Sequence, residues 1–250
     1  MRCYVITGVS RGLGLALAEK AASRGAHVIG IARTVSAENN ALAAQADSYR
    51  SIQLDLADTE AVSDVADELF SSLAALQWQG VYLINNAGSV EPIAPAGDYA
   101  DDDAALSLAT NLMAPIQLTN AFIRHFAGQE IDKRVLNISS GAGRNAYEGW
   151  SVYCAGKAGL DHYTRCVGLE QADRDDGVKI ASIAPGIIDT AMQAAIRMTS
   201  AAQFPLLQQF RDYHAHGDLA SPTAVAARLL DYLHGEAIGF GDVTHIRETP

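Results

Sequence analysis

Short runs rich in Val and Ile recur along this 250-residue chain, and each is followed by a longer, Ala-rich stretch with apolar residues at helical spacing. That alternation restricts the fold more than any other feature, because nearly continuous apolar strands need both faces covered. The runs predict strands at Cys3–Thr7, His27–Ala32, Ser51–Asp55, Gly80–Asn85, Arg134–Ser139, Val178–Ala184 and, more weakly patterned, Asp242–Ile246. Helices are predicted near 12–23, 37–46, 59–75, 102–127, 151–173 and 222–234. Gly25 follows the first helix, Asp58 precedes the third and Pro222 opens the last, as end signals should. Alternating β and α elements joined by right-handed crossovers give an α/β, doubly wound (Rossmann-type), mostly parallel seven-stranded sheet with helices on both faces. No linker, repeat or low-complexity tract divides the chain, so residues 1–250 are read as one domain. The stretch 190–219, interrupted by Pro205, is too long for an ordinary connection and is read as a substrate-loop insertion, with a plain surface hairpin as the alternative.

Composition narrows the partners. A net charge of −11 argues against nucleic acid and against anionic lipid, both of which require a basic face. Cys3, Cys154 and Cys166 form no metal-ligand or disulfide pattern, and His214 with His216 lacks a third ligand. With no long apolar run, the chain is expected to be cytoplasmic and to act on a small molecule.

In a doubly wound sheet, ligands bind outside the carboxyl ends of the strands. Every unusual glycine or polar cluster in this chain follows a candidate strand: "TGVSRGLG" after the first, Arg33 after the second, Asp55–Leu56 at the third, "NNAG" after the fourth, "ISSGAG" after the fifth and "PGIIDT" after the sixth. Gly8, Gly12 and Gly14 in the first cluster suit a tight turn that brings backbone close to a pyrophosphate at a helix N-terminus, although a simple glycine turn has the same spacing. No carboxylate ends the second strand. Arg11 and Arg33 stand there instead, which favours the 2′-phosphate of NADP(H) over the free ribose of NAD.

In "GWSVYCAGKAG", Tyr153 and Lys157 are four residues apart and share a helix face. A phenol titrates near 10, too high for ready proton exchange at neutral pH. A neighbouring ammonium is expected to lower that value. Ser140, at the end of the fifth strand, is positioned to steady a carbonyl oxygen beside them. The three make a proton-transfer unit suited to a hydride-accepting carbonyl.

These motifs, with Asn111 in "NLMAPIQLT", occur in the order and spacing of the short-chain dehydrogenase/reductase family, which the chain resembles over essentially its whole length. The resemblance implies that Tyr153 is the catalytic acid/base, that Lys157 also holds the nicotinamide ribose, that Ser140 orients the carbonyl and that Asn111 holds a relay water. It further implies cofactor contacts from Gly8, Ser10, Arg11, Gly12, Leu13, Gly14, Arg33, Asp55, Leu56, Asn86, Ala87, Gly88, Pro185, Gly186, Ile188 and Thr190. Within the family the chain is most similar to the sepiapterin reductase and benzil reductase group, which places Trp150, Met192 and Gln193 near the substrate. Trp150 has a plain packing alternative. Where pterin-reducing members carry an anchoring aspartate, this chain has His245.

The expected function is therefore NADPH-dependent reduction of a ketone or vicinal dicarbonyl to a secondary alcohol, by a homodimer or tetramer. The dimer would form through the helices near 102–127 and 151–173. Two alternatives remain at this point: an NAD(P)-dependent alcohol or sugar dehydrogenase, and a non-catalytic NADP-sensing regulator.

Overall fold

The structure, a computed structural model, describes residues 1–45 and 48–249. Its elements run β1 (Arg2–Thr7), α1 (Gly12–Ser23), β2 (His27–Ala32), α2 (Ala37–Gln45), β3 (Tyr49–Gln53), α3 (Thr59–Ala74), β4 (Gly80–Asn85), α4 (Asp101–Leu108), a π-helical turn (Ala109–Met113), α5 (Ala114–His125), β5 (Asp132–Ile138), α6 (Ser151–Ala172), β6 (Lys179–Ala184), α7 (Ala191–Arg197), α8 (Leu207–Ala215), α9 (Pro222–His234) and β7 (Phe240–His245). The strands form one sheet in the order β3-β2-β1-β4-β5-β6-β7, and every pairing is parallel. Chain direction reverses its progress across the sheet between β1 and β4, the switch point at which a doubly wound sheet opens a crevice.

Strand side chains alternate between two cores, as a pleat requires. Tyr4, Ile6, Val28, Ile84, Leu136 and Ile183 point to one face with Leu17 of α1 and Leu229 of α9. Cys3, Val5, Ile29, Leu83, Val135 and Ile180 point to the other with Phe70 of α3 and Phe122 of α5. Each such aliphatic or aromatic side chain removed from water contributes about 1.5–3 kcal/mol. Together they hold the sheet rigid beneath the loops at its carboxyl edge.

Two sequence expectations are corrected, and the form of a third segment is filled in. The third strand begins and ends two residues earlier than its apolar pattern suggested, at Tyr49–Gln53, so Asp55–Leu56 belong to the loop beyond it. The expected helix over 102–127 is broken by the π turn at Ala109–Met113, since periodicity alone does not reveal one inserted residue. The 190–219 stretch folds as two short helices flanking Pro205, with Ile188 bridged to Ala220 across its base. Of the second helix, expected at 37–46, residue 46 lies outside the described residues.

Candidate active site

The glycine loop is held open at the switch point. Gly8 has φ +75°, a left-handed conformation that any side chain would strain, and a Cβ there would lie 2.9 Å from Ala87 Cα. At Gly14 a Cβ would lie 2.1 Å from the Gly8 carbonyl oxygen, so the first turn of α1 can seat against the loop only as glycine. The N-terminus of α1 also lacks a side-chain cap and first-turn acid, whereas α3 is capped by Asp58 and α9 by Ser221. An uncapped N-terminus presents unsatisfied N–H groups and a positive dipole, which fits a phosphate.

Two buried side chains that sequence reasoning missed hold this loop. Thr7 Oγ1 accepts the backbone N–H groups of Asn86 and Ala87, each at 2.9 Å, and Asn86 Nδ2 donates to the Thr7 carbonyl at 2.8 Å. The end of β1 is thereby clasped to the end of β4. Asn39 of α2, fully buried, donates to the Val9 carbonyl at 2.9 Å and to Tyr49 at 3.0 Å. A threonine at a strand end and an asparagine in a polar helix give no distinguishing signal until their distant partners are known.

Tyr153 and Lys157 lie in the first two turns of α6, both buried. Lys157 Nζ donates to the Ile138 carbonyl at 2.8 Å and sits 5.9 Å from the Tyr153 ring centre. The expected lowering of the phenol is not what the structure has. Burial pushes Tyr153 up to about 12, with the nearby Ser140 hydroxyl acting in the opposite direction. The same desolvation brings Lys157 down to about 8, opposed by the Asp161 carboxylate. The pair thus stands as a neutral phenol beside an ammonium whose charge is only just retained at neutral pH. Ser140 accepts from Ala142 N at 3.2 Å and begins the short helical turn that turns the chain back towards α6.

Asn111 differs from the other predicted residues in position. It lies beneath the cleft, 1% exposed, at the centre of the π turn. Its Oδ1 accepts from Ser89 N at 3.1 Å and its Nδ2 donates to the Ser89 carbonyl at 2.7 Å. Pro115, four residues on, has no N–H to give to the Asn111 carbonyl. Gly88 and Gly156 permit the approach, for a Cβ at Gly88 would lie 2.8 Å from Asn111 Oδ1 and 3.5 Å from Lys157 Nζ.

All the remaining predicted residues line one cleft of about 800 Å³. Gly8, Ser10, Arg11, Gly12, Leu13 and Gly14 form one end with Arg33, Asp55 and Leu56. Arg11 and Arg33 are exposed and have no ion-pair partner among the described residues. Asn86, Ala87, Gly88, Pro185, Gly186, Ile188 and Thr190 line the middle, beside Ser140, Tyr153 and Lys157. The other end is apolar. Trp150 stacks on Phe204 at 4.5 Å and meets Phe210 edge-on at 5.4 Å, with Met192 packed alongside, so it is at once a packing aromatic and a cleft wall. Gln193 is buried and donates to the Phe210 carbonyl at 3.0 Å, joining α7 to α8. The second of those helices, α8, supplies Phe210 and Tyr213 to the wall as well, which no motif signalled. His245, at the end of β7, also lines the cleft; its Nδ1 accepts from Arg247 N at 3.0 Å.

Comparison with known proteins gives a consistent set of relatives. A family model described as short chain dehydrogenase matches residues 2–201. The chain is 39% identical to a benzil reductase ((S)-benzoin forming) from Bacillus cereus, covering 99% of this chain and 100% of that protein. It is 29% identical to a sepiapterin reductase from Xenopus laevis, covering 95% and 92%. Among solved structures, a Beutenbergia cavernae protein with NADP bound at low occupancy superposes with a TM-score of 0.80 at 28% identity, covering 98% of this chain and 94% of that one. Among the described residues no helix is long and apolar enough to cross a membrane.

Proposed function

The chain belongs to the short-chain dehydrogenase family, an oxidoreductase family that binds NAD(P), and from that premise we propose that it is an NADPH-dependent reductase of ketones or vicinal dicarbonyls. The observation that carries the reading is the convergence of Ser140, Tyr153 and Lys157 on one cleft with an uncapped, glycine-walled helix N-terminus. Bound NADPH supplies the hydride; the chain supplies everything else. Gly8 to Gly14 hold the pyrophosphate, and Arg11 with Arg33 hold the 2′-phosphate where an NAD enzyme has an acid. Asp55 and Leu56 flank the adenine. Asn86 to Gly88 and Pro185 to Thr190 line the path of the nicotinamide half.

Ser140 donates to the substrate carbonyl oxygen. Tyr153 transfers its proton to the oxygen as negative charge develops there, burial keeping the phenol protonated until then. The Lys157 ammonium stabilises the phenolate left behind, and Asn111 holds the water that returns a proton. Trp150, Met192 and Gln193 bound the substrate, and the aromatic wall they share with Phe210 suits an aryl ketone. His245 in place of an acid disfavours a pterin. The phosphate-side arginines, without an ion-pair partner among the described residues, favour NADP(H) over the NAD-linked alcohol dehydrogenase reading. Retention of both Tyr153 and Lys157 favours an enzyme over a sensor.

Four large apolar side chains stand exposed on the helices expected to pair. These are Leu106, Leu108 and Met113 on α4 and its π turn, and Leu169, 78% exposed, on α6. They support a homodimer, which a monomeric mass by sedimentation would refute.

The test is NADPH oxidation with a panel of aryl diketones, simple ketones and pterins. Tyr153→Phe should lower kcat by about 10²–10⁴-fold while leaving NADPH binding intact. Arg33→Ala should weaken NADPH far more than NADH. Equal turnover by wild type and Tyr153→Phe would remove the mechanism.

A further inference from the structure

One turn beyond Lys157 on the same face of α6 is a carboxylate to which the reaction above gives no task. Tyr153, Lys157 and Asp161 follow one another at four-residue intervals, and Asp161 is only 1% exposed. It does not line the cleft. Its Oδ1 accepts from the Ser182 hydroxyl of β6 at 2.6 Å. Its Oδ2 accepts no hydrogen bond among the described residues and lies 3.5 Å from Arg144 Nε. Arg144 in turn donates to the Thr244 carbonyl of β7 at 2.6 Å. The turn carrying Ser140 is pressed against this group, since a Cβ at Gly143 would lie 2.6 Å from Asp161 Oδ2 and 3.0 Å from the Lys157 carbonyl oxygen. An ionised carboxylate buried this deeply is costly unless cations compensate it.

We propose that Asp161 is a positioning residue for the proton-transfer pair: a fixed counter-charge behind Lys157, tethered to β6 through Ser182 and to the Ser140 turn and β7 through Arg144. The proposal rests on reading Tyr153 and Lys157 as that pair. Around the lysine amine stand the Tyr153 ring, the Ile138 carbonyl of β5 and Asn111 across Gly88, with Asp161 one turn further along the same helix face and Arg144 of the serine turn beyond it. Desolvation works against the ammonium and Asp161 supports it. Without the carboxylate, burial meets less opposition and the lysine loses its proton at lower pH. Arg144 partly neutralises the carboxylate, so its removal should act in the opposite direction.

The experiment follows the titration of Lys157 directly, by NMR of protein labelled with 13C at lysine Cε. The chain has four lysines, and Lys157→Met identifies the signal. Asp161→Asn should move the Lys157 midpoint down by about one pH unit, Asp161→Glu should restore most of it, and Arg144→Gln should move it up. The high-pH limb of kcat should move in parallel, with KM for the carbonyl little changed. If Asp161→Asn does not fold, Arg144→Gln and Asp161→Glu still decide the matter. An unmoved Lys157 midpoint in the variants overturns the proposal. A moved midpoint in a protein that turns over no carbonyl would instead overturn the reductase reading and leave the counter-charge standing.

Discussion

Replacing Thr7 with valine removes one oxygen and keeps the shape of the side chain. Thr7 is 1% exposed, and its hydroxyl accepts two backbone N–H groups from the far side of the switch point. The Asn86 N–H has a second acceptor, the Ile84 carbonyl at 3.1 Å, whereas Ala87 N–H has none among the described residues. Orphaning the Ala87 donor costs roughly 1–3 kcal/mol, and losing the shared bond costs about 0.5–1 kcal/mol. The added methyl offsets up to about 0.8 kcal/mol. The net loss is about 1–3 kcal/mol, which for a chain of this size lowers Tm by roughly 3–10 °C. Thr7→Ser is the control, because it keeps the oxygen and discards only a methyl. Thermal melting of the three proteins gives the comparison, and NADPH titration gives a second. A loosened clasp frees Ala87 to shift against Gly8, where a Cβ would already be only 2.9 Å from its Cα. Kd for NADPH should therefore rise in Thr7→Val more than in Thr7→Ser. If valine melts with the wild type, or above serine, the hydroxyl is not what joins β1 to β4.

Gly14→Ala places a methyl 2.1 Å from a backbone oxygen, so α1 must move; NADPH affinity should collapse, with stability down by about 1–3 kcal/mol, measured by titration and urea unfolding. Acid should destabilise the protein through His234. Its ring hydrogen-bonds Tyr4 and meets Tyr82 edge-on, and burial with Arg2 and Arg134 nearby lowers it to about 4. Because the folded value lies below the ordinary 6.5, the unfolded chain takes up the proton first as pH falls. This contribution is intact above pH 6.5 and disappears as pH approaches 4, so Tm should decline across that window and His234→Gln should flatten the decline.

Much of the fold was legible because its signals are local. The Val- and Ile-rich runs predicted β2 and β4 to the residue, and helical spacing with its end signals did the same for α1 and α9. The π turn was not legible, since one extra residue in a helix leaves the apolar pattern of 102–127 almost unchanged. Nor was the behaviour of Tyr153. The spacing to Lys157 suggested a lowered phenol, but desolvation is a property of everything packed around α6 and outweighs one neighbour.

The amino-acid sequence alone determined which segments become strands and helices, and that their polar ends face one edge, because parallel strands all finish on the same side of a sheet. The tertiary structure alone decided which of those ends touch. Thr7 meets partners 79 and 80 residues away, Arg144 reaches across 100 residues to Thr244, and Asp161 is buried behind Lys157 against Ser182 of β6. Periodicity reports the environment of a residue's own helix or strand, whereas charge, hydrogen bonding and proton affinity depend on groups the chain brings in from elsewhere.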